Sequence, residues 1–258
     1  MLTHRARKRF GQHFLHDQEV IQRLLIAIAP QPGQHLVEIG PGRGVLTEPL
    51  LEALGELDAV ELDRDLVAYL RTRMAGRGLR LYEADALNFN FTALRQDTRP
   101  LRIVGNLPYN ISTPLLFHLL AQMDAIADMH FMLQKEVVQR MAAPPGGGDY
   151  GRLSVMTQIA CRVEYLFSVA ADAFTPAPKV DSAVVRLVPY IQSPVVVNDP
   201  AQFAQLVAQA FSQRRKTLRN SLRGRVDEAQ WRDVGIDPGV RPETLSPQQF
   251  AVLSNYLF

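Results

Sequence analysis

Short apolar or alternating runs recur from about residue 19 to 160, and stretches with helical spacing of apolar residues, such as VLTEPLLEAL and RDLVAYLRTRM, lie between most of them. Runs of this length predict strands, and continuous apolar runs are typical of strands buried on both faces of a parallel sheet. The predicted strands are HLVEI (35–39), LDAVELD (57–63), LRLYEAD (79–85), LRIVGN (101–106) and MHFMLQ (129–134). Their alternation with helices predicts an α/β fold with a parallel sheet wrapped by helices.

The pattern changes in the last third of the chain. Two strand-like runs, VEYLFSVA (163–170) and DSAVVRLVPY (181–190), have only a loop between them, so we expect an antiparallel hairpin at the sheet edge. Before them, helical spacing from Leu153 to Arg162 predicts a helix that places Cys161 in the core. The chain has a helical pattern after the Pro-containing segment 191–200. We therefore predict two domains, residues 1–190 and a small helical domain of residues 191–258.

Composition narrows the class of protein. With 258 residues and 47% hydrophobic content, the chain can bury a full core. No stretch approaches the roughly 18 apolar residues of a membrane helix, and the basic start MLTHRARKRF lacks the apolar segment of a signal peptide. We therefore expect a cytoplasmic protein with no membrane association. One cysteine and no Cys/His cluster with zinc spacing predict that there is no metal site.

The net charge of +2 conceals two purely basic segments. Four basic residues lie in the first ten positions and six in FSQRRKTLRNSLRGR (211–225), which leaves 18 basic against 26 acidic residues elsewhere. A solvated helix face would explain one such run. Two of them on an otherwise acidic body favour a polyanion, because phosphate contacts gain from counterion release. We expect nucleic acid as the partner, with candidate contacts at Arg7, Lys8, Arg9, Arg214, Arg215, Lys216, Arg219 and Arg223.

The run VEIGPGRG places three glycines, Gly40, Gly42 and Gly44, between the first predicted strand and a helix. Glycine permits a tight turn and lets a ligand approach bare backbone. Glu61 ends the second strand, where it can accept hydrogen bonds from ribose hydroxyls. Val45 stands where a nicotinamide-binding loop has glycine, and the G-x-G-x-G spacing also occurs in methyltransferases with a sulfonium cofactor. A plain structural turn is the alternative interpretation of this loop.

The next two strands also end in polar residues, Asp85 and Asn106. The carboxyl ends of parallel strands meet along one crevice, which is where open α/β sheets bind ligands. Asp85 would accept a hydrogen bond from the adenine amine of a nucleoside cofactor. The sequence therefore predicts a cofactor site at this edge of the sheet.

Asn106 opens the segment Asn-Leu-Pro-Tyr, which suits methyl transfer to an adenine amine. That amine is a poor nucleophile because its lone pair is delocalised into the ring. The Asn106 side-chain oxygen and the Leu107 carbonyl can each accept one amine hydrogen, which directs the lone pair at a methyl group. Pro108 fixes the backbone, and Tyr109 offers a ring on which a base can stack. The alternative is a proline turn with Tyr109 in a packing role.

Several longer segments resemble the KsgA family of small-subunit ribosomal RNA adenine dimethyltransferases. They are RKRFGQHFL (7–15), VEIGPGRGVLT (37–47), GNLPYNISTPLL (105–116), YGRLSV (150–155) and FTPAPKVDSAVVRL (174–187), and the likeness spans nearly the whole chain. The resemblance implies a Rossmann-like methyltransferase domain with a small C-terminal helical domain, and S-adenosylmethionine as the methyl donor. It also implies dimethylation of two adjacent adenosines in a hairpin loop near the 3′ end of 16S rRNA, within ribosome biogenesis.

The same resemblance implies particular site residues. His13 stands where many relatives have asparagine, and its ring nitrogen can still form a hydrogen bond. Phe174 is implied as a second stacking wall for the target base opposite Tyr109, with Lys179 close to phosphate. The implied cofactor contacts are Gln12, His13, Leu15, Gly40, Gly42, Glu61, Asp85, Ala86 and Asn106.

Two other functions are compatible with the sequence. A macrolide-resistance methyltransferase of large-subunit RNA shares the Asn-Pro-Tyr chemistry, although the FTPAPKVDSAVVRL segment favours the small-subunit family. A non-catalytic RNA-binding assembly factor would keep the fold without the reaction, but Gly40, Glu61, Asp85 and Asn106 argue against that loss. No extended apolar stripe demands a partner subunit, so we expect a monomer.

Overall fold

The computed structural model describes residues 12–95, 97–213 and 215–258. Its strands are β1 (Phe14–Leu15), β2 (His35–Ile39), β3 (Leu57–Glu61), β4 (Leu79–Glu83), β5 (Leu101–Asn106), β6 (Ile126–Gln134), β7 (Cys161–Val169), β8 (Phe174–Thr175) and β9 (Ser182–Pro189). Its α-helices are α1 (Gln18–Ile28), α2 (Thr47–Leu54), α3 (Arg64–Arg73), α4 (Ser112–Leu120), α5 (Lys135–Ala142), α6 (Arg152–Gln158), α7 (Pro200–Ala210), α8 (Leu218–Ser221), α9 (Glu228–Asp233) and α10 (Pro247–Leu257). The predicted bounds of β2 and β5 match the observed ones.

The main sheet has the strand order β4-β3-β2-β5-β6-β9-β7. The strands from β4 to β6 are parallel, and β9 runs antiparallel to β6. Every residue of β2 and β3 is buried, as expected for strands covered by helices on both faces. The Rossmann-like α/β class is therefore confirmed, and β9 and β7 lie next to each other at the sheet edge as the hairpin prediction required.

Local sequence signals explain where several helices begin. The Asp17 side chain accepts hydrogen bonds from the backbone amides of Glu19 and Val20, which caps α1. Asp63 caps α3 in the same way. At α10, Ser246 and Gln249 form a reciprocal capping box, in which each side chain bonds the other's backbone amide. These caps satisfy amide groups that have no partner inside the helix.

The chain divides into two compact units. The first holds the described residues up to Val138 together with Glu164–Pro189, and the second holds Gln139–Val163 together with Tyr190–Phe258. The second unit thus contains the segment 139–163 in addition to the residues from 191 onward that the sequence suggested. Its helices α6, α7, α8, α9 and α10 surround an apolar core that includes Phe203, Trp231 and Phe250.

The segment around Cys161 differs from its prediction. Helix α6 ends at Gln158, and Cys161 begins strand β7 instead of lying on a helix. The run CRVEYLFSV is rich in β-branched and aromatic residues, and these favour an extended strand over a helix. The side chain of Cys161 is buried as expected, and burial raises its thiol pKa to about 12.

A second, two-stranded sheet joins the N-terminal segment to a part of the first unit that comes much later in the sequence. Strand β1 pairs antiparallel with β8, which places Phe14 opposite Thr175 and Leu15 opposite Phe174. The amide of His16 extends this pairing by donating to the carbonyl of Ala173 at 3.0 Å. Residues 12–15 are therefore held beside the main sheet by a part of the chain about 160 positions away.

Candidate active site

A cavity of about 350 Å³ lies at the carboxyl ends of the parallel strands. Its volume falls in the range of small-molecule and cofactor sites. The structure brings all nine predicted cofactor residues to its wall, together with Leu107, Pro108 and Tyr109. Strand ends, the glycine loop and the N-terminal segment thus enclose one chamber, as the convergence of strand ends predicts.

The glycine loop follows β2 with backbone angles that favour glycine. Gly40, Gly42 and Gly44 have φ of 67°, 57° and 83°. A side chain at Gly42 would also meet the Phe14 ring at 3.4 Å, so glycine keeps the loop close to the N-terminal segment. The guanidinium of Arg43 stacks over the same Phe14 ring, at 4.4 Å from its centre.

Glu61 ends β3 as a buried carboxylate with local backbone partners. Its Oε2 accepts from the amide of Gly42 at 3.2 Å, and its Oε1 accepts from the amide of Asp63 at 2.9 Å. Burial raises the pKa of Glu61, and the backbone hydrogen bonds act in the opposite direction. A carboxylate offers about four acceptor positions, so Glu61 retains capacity for the two hydroxyls of a ribose.

Asp85 lies half-buried after β4 and is turned partly toward its own loop. Its two carboxylate oxygens accept from the amide of Leu87 at 3.0 Å and from the side-chain amide of Asn88 at 3.1 Å. These contacts fix the side chain and leave further acceptor positions on it. Together with Ala86, which is buried in the wall, Asp85 fits the predicted contact to an adenine amine.

Asn106 ends β5 with its amide orientation fixed. Its Nδ2 donates to the carbonyl of His13 at 3.1 Å. Among the described residues, no hydrogen bond occupies the Asn106 Oδ1 or the carbonyl of Leu107. The amide of Leu107 donates to the carbonyl of Met132 at 3.1 Å, which holds this segment to β6. Two acceptors thus remain for a ligand at adjacent positions of the chamber wall.

Tyr109 is half-buried, and both ends of its side chain have contacts. Its hydroxyl lies 2.7 Å from the Ser182 hydroxyl, and its ring stacks on the His13 ring with centroids 5.8 Å apart and an interplanar angle of 27°. Burial raises the pKa of the Tyr109 phenol. The carbonyl of Pro108 accepts from the amide of Ile111, which closes the turn before α4. Tyr109 therefore presents a fixed aromatic plane at the chamber.

Phe174, the residue implied as the second stacking wall, is buried in this structure. Its side chain is 3% exposed, packs in the core of the first unit, and is not among the residues that line the described cavity. The backbone pairing of Phe174 with Leu15 directs the side chain into that core. Phe174 thus shares a core cluster with Leu15, which lines the chamber, and its stacking role stays a prediction.

Glu38 lines the chamber, although it was not predicted from the sequence as a site residue. It is 2% exposed in β2, and its Oε2 accepts from the Thr47 hydroxyl at 2.7 Å. Burial raises its pKa to about 7, with a smaller contribution from Glu61 in the same direction. A charged residue inside the otherwise apolar run HLVEI was the signal that would have identified it.

The structure describes only part of the predicted RNA contacts. Arg7, Lys8, Arg9 and Arg214 lie outside the described residues. Lys179 is exposed on the loop between β8 and β9 in the first unit. In the second unit the exposed side chains are Arg215, Lys216, Arg219 and Arg223. Arg219 forms an ion pair with Glu228, and Arg223 donates to the Asn220 side chain at 3.3 Å.

The described residues contain neither a metal-binding cluster nor a membrane-spanning helix. Within the described ranges, no group of three or more histidine, cysteine, aspartate or glutamate side chains is arranged to hold a metal ion. None of the described helices combines the length and apolar character that crossing a membrane requires.

Comparisons with known proteins identify the family of this chain. The family model described as ribosomal RNA adenine dimethylase matches residues 3–258. The chain is 59% identical over 256 residues to a ribosomal RNA small subunit methyltransferase A of Nitrosococcus oceani, with 99% of this chain and 97% of the relative covered. It is 54% identical over 258 residues to the protein of that name from Pseudomonas aeruginosa, with 100% and 96% covered.

Solved structures show the same fold. A dimethyladenosine transferase from Plasmodium falciparum superposes with a TM-score of 0.81 at 25% identity, over 93% of this chain and 96% of the other. The 23S rRNA methyltransferase ErmE superposes with a TM-score of 0.70 at 27% identity, over 95% of this chain and 99% of the other. With a family model that matches nearly its full length, this chain belongs to the ribosomal RNA adenine dimethylase family.

Proposed function

We propose that this protein dimethylates the N6 amine of two adjacent adenosines in a hairpin loop near the 3′ end of 16S rRNA. As a member of its family it is a methyltransferase that uses S-adenosylmethionine. One observation carries the reaction chemistry: Asn106 and Leu107 line the same chamber as the glycine loop and Glu61. The small-subunit substrate is supported by relatives that are 54% to 59% identical and named for small-subunit RNA.

The cofactor would be held by residues already fixed in the chamber. Glu61 would accept the ribose hydroxyls, and Asp85 would accept the adenine amine, while Gly40 and Gly42 let the ligand reach the backbone. S-adenosylmethionine, when bound, supplies an electrophilic methyl group on a sulfonium centre. The three acids at the wall, Glu38, Glu61 and Asp85, suit a ligand that carries positive charge.

The target amine would be held by Asn106 and Leu107. Their two oxygens would each accept one amine hydrogen, which draws the nitrogen toward tetrahedral geometry and aims its lone pair. The Asn106 side chain is already oriented for this because its nitrogen donates to His13. The methylated amine is acidic enough to lose its proton to solvent or to a carbonyl, so no dedicated base is required.

Each of the two units would contribute basic residues that bind the RNA. Arg215, Lys216, Arg219 and Arg223 would contact phosphates from the second unit, and Lys179 from the first. We further propose that the protein acts as a cytoplasmic monomer on the small ribosomal subunit or its precursor. A light-scattering mass of one chain, about 28.9 kDa, would support the monomer, and a doubled mass would reject it.

The decisive experiment uses small ribosomal subunits that lack the modification. The full-length protein is incubated with them and with methyl-labelled cofactor, and the label is then located by digestion and sequencing. We expect label on two adjacent adenosines near the 3′ end of 16S rRNA. Label elsewhere, or none, rejects the proposed substrate.

A second candidate is methylation of large-subunit RNA. The structural likeness to the 23S rRNA methyltransferase ErmE favours it, with 27% identity over 95% of the chain. Unmodified large subunits in a parallel incubation separate the two functions. Labelling of 23S rRNA alone would replace the small-subunit proposal.

A further inference from the structure

Glu38 is a buried acid of the chamber to which the proposed reaction gives no specific role. It lies near the end of β2 and lines the chamber together with Glu61 and Asp85. Within the described residues, no basic side chain forms an ion pair with Glu38. A buried carboxyl group without a cationic partner is costly to ionise, so its presence in a ligand chamber indicates a functional role.

The groups next to Glu38 are neutral or acidic. On the neighbouring strands its register partners are Ala59 of β3 and Val104 of β5, which are both apolar. Helix α2 contributes the Thr47 hydroxyl, which donates to Oε2 at 2.7 Å, and the end of β3 contributes the carboxyl group of Glu61. The other titratable or charged side chains on the chamber wall are His13 before β1, Arg43 in the glycine loop, Asp85 after β4 and Tyr109 after β5.

This environment keeps Glu38 close to ionisation at neutral pH. Burial raises its pKa to about 7, Glu61 adds to the increase, and the hydrogen bond from Thr47 opposes it. At pH 7 and without a ligand, Glu38 is therefore protonated in about half of the molecules. A cation in the same chamber favours the carboxylate, and we expect it to lower this pKa by roughly one to two units.

We propose that Glu38 distinguishes the methyl donor from its demethylated product, because it releases a proton when a sulfonium cation is bound and keeps the proton when the sulfur is neutral. The inference rests on the proposed function and adds a selectivity residue to it. In methyl transfer the amine lone pair forms the new N–CH3 bond, and the electron pair of the S–CH3 bond stays on sulfur, which becomes a neutral thioether. Glu38 then takes up a proton from solvent, and the attraction that favoured the donor is lost.

Proton linkage predicts a different pH dependence for the two ligands. As Glu38 ionises, the affinity for S-adenosylmethionine should rise and then level off, whereas this group should change the affinity for S-adenosylhomocysteine little. The Kd for S-adenosylhomocysteine divided by the Kd for S-adenosylmethionine should increase about fivefold or more from about pH 6 to pH 8. At about pH 7, donor binding should release about half a proton more than product binding. Titration calorimetry in two buffers of different ionisation enthalpy measures both quantities.

Two substitutions assign the effect to Glu38. Glu38→Gln keeps an acceptor for the Thr47 hydroxyl and cannot ionise, so the increase of the Kd ratio with pH should disappear. His13, Glu61 and the amino group of the ligand remain in that variant, so any pH dependence that they cause would persist. Thr47→Val removes the hydrogen bond that favours the carboxylate, so the midpoint of the increase should move to higher pH. The exposed substitution Glu19→Gln is the control and should follow wild type.

The outcomes separate the role of Glu38 from the proposed function. A Kd ratio that is constant across this pH range in wild type rejects the role of Glu38, whatever the subunit labelling shows. The same increase in Glu38→Gln as in wild type also rejects it, and so does an unmoved midpoint in Thr47→Val, which needs no variant of Glu38 itself. A wild-type protein that binds neither ligand rejects the role and the proposed function together. A pH-dependent ratio without label on 16S rRNA rejects the proposed substrate alone.

Discussion

At the scale of single residues, Asn106 divides its amide between two tasks. The nitrogen donates to the carbonyl of His13, and no hydrogen bond from the described residues occupies the oxygen. An amide used in this way has a fixed orientation before any ligand enters, which lowers the entropy cost of aligning the amine. The same bond ties the N-terminal segment to Asn106.

The first prediction follows from this division of the Asn106 amide. Asn106→Ala removes one of the two acceptors that we propose act on the amine in the transition state, so kcat should fall by about two orders of magnitude or more. The Kd for S-adenosylmethionine should change little. Single-turnover kinetics and cofactor titration measure the two quantities, with Asn198→Ala in the second unit as a control that retains activity. Near-normal turnover in Asn106→Ala would contradict the role.

Glu38 gives a prediction about pH. Its pKa of about 7 in the folded protein lies above the ordinary value of 4.5, so the folded state holds a proton that the unfolded state releases between these values. The free energy of unfolding should therefore decrease as pH rises from about 4.5 to 7, by on the order of 3 kcal/mol from this group. Above pH 7 its contribution should be constant.

The test compares Glu38→Gln with wild type by urea unfolding at a series of pH values. Glutamine keeps an acceptor for the Thr47 hydroxyl and cannot ionise, so the stability of the variant relative to wild type should grow across that window. The exposed substitution Glu19→Gln serves as the control and should follow the wild-type curve. If the free energies of unfolding of Glu38→Gln and wild type change in parallel with pH, the pKa of Glu38 is not raised in the folded protein.

At the scale of elements, the contact between β2 and β5 positions the two halves of the site. Gly105 precedes Asn106, and a side-chain carbon added there would lie 2.6 Å from the carbonyl oxygen of Ile39. Ile39 is the last residue before the glycine loop. The close approach of these two strand ends therefore brings Asn106 beside the glycine loop.

Gly105→Ala should separate these strand ends. We expect a loss of about 1–3 kcal/mol in the free energy of unfolding, the usual cost of overpacking, together with weaker cofactor binding. Gly148→Ala is the matched control, because an added carbon at Gly148 meets no atom within 4 Å. Thermal melts with and without S-adenosylmethionine measure both effects. Equal melting temperatures of the two variants, with and without S-adenosylmethionine, would show that the strand ends accommodate the added carbon without loss of stability.

At the scale of the whole molecule, the concentration of basic residues in two segments gives a prediction about salt. Changing Arg215, Lys216, Arg219 and Arg223 to glutamine should weaken RNA binding and flatten its salt dependence. The slope of log K against log salt should decrease by about 0.7 to 0.9 for each phosphate that is no longer neutralised. Filter binding from low to high salt measures it, with Arg71 and Arg95 of the first unit neutralised as a control. An unchanged slope rejects the RNA-binding role of these residues.

Much of this architecture could be predicted from the sequence because its signals are local. Apolar runs defined the bounds of β2 and β5, and glycines with strand-end acids located the chamber. The strand that contains Cys161 begins two residues before the predicted run 163–170, so Cys161 lies on a strand and not on a helix. The burial of Phe174 depends on its long-range pairing with Leu15, which the local sequence does not show. The His13 and Tyr109 stack was invisible for the same reason, since 96 positions separate the two residues.

The pairing of β1 with β8 has a consequence for how the molecule is made. One wall of the chamber comes from residues 12–15, yet these are held in place by residues 173–176. A growing chain that has exposed only the glycine loop and Asn106 still lacks its finished pocket. During synthesis, the capacity to bind S-adenosylmethionine should therefore arise late, after the segment around residue 176 has left the ribosome that is making it.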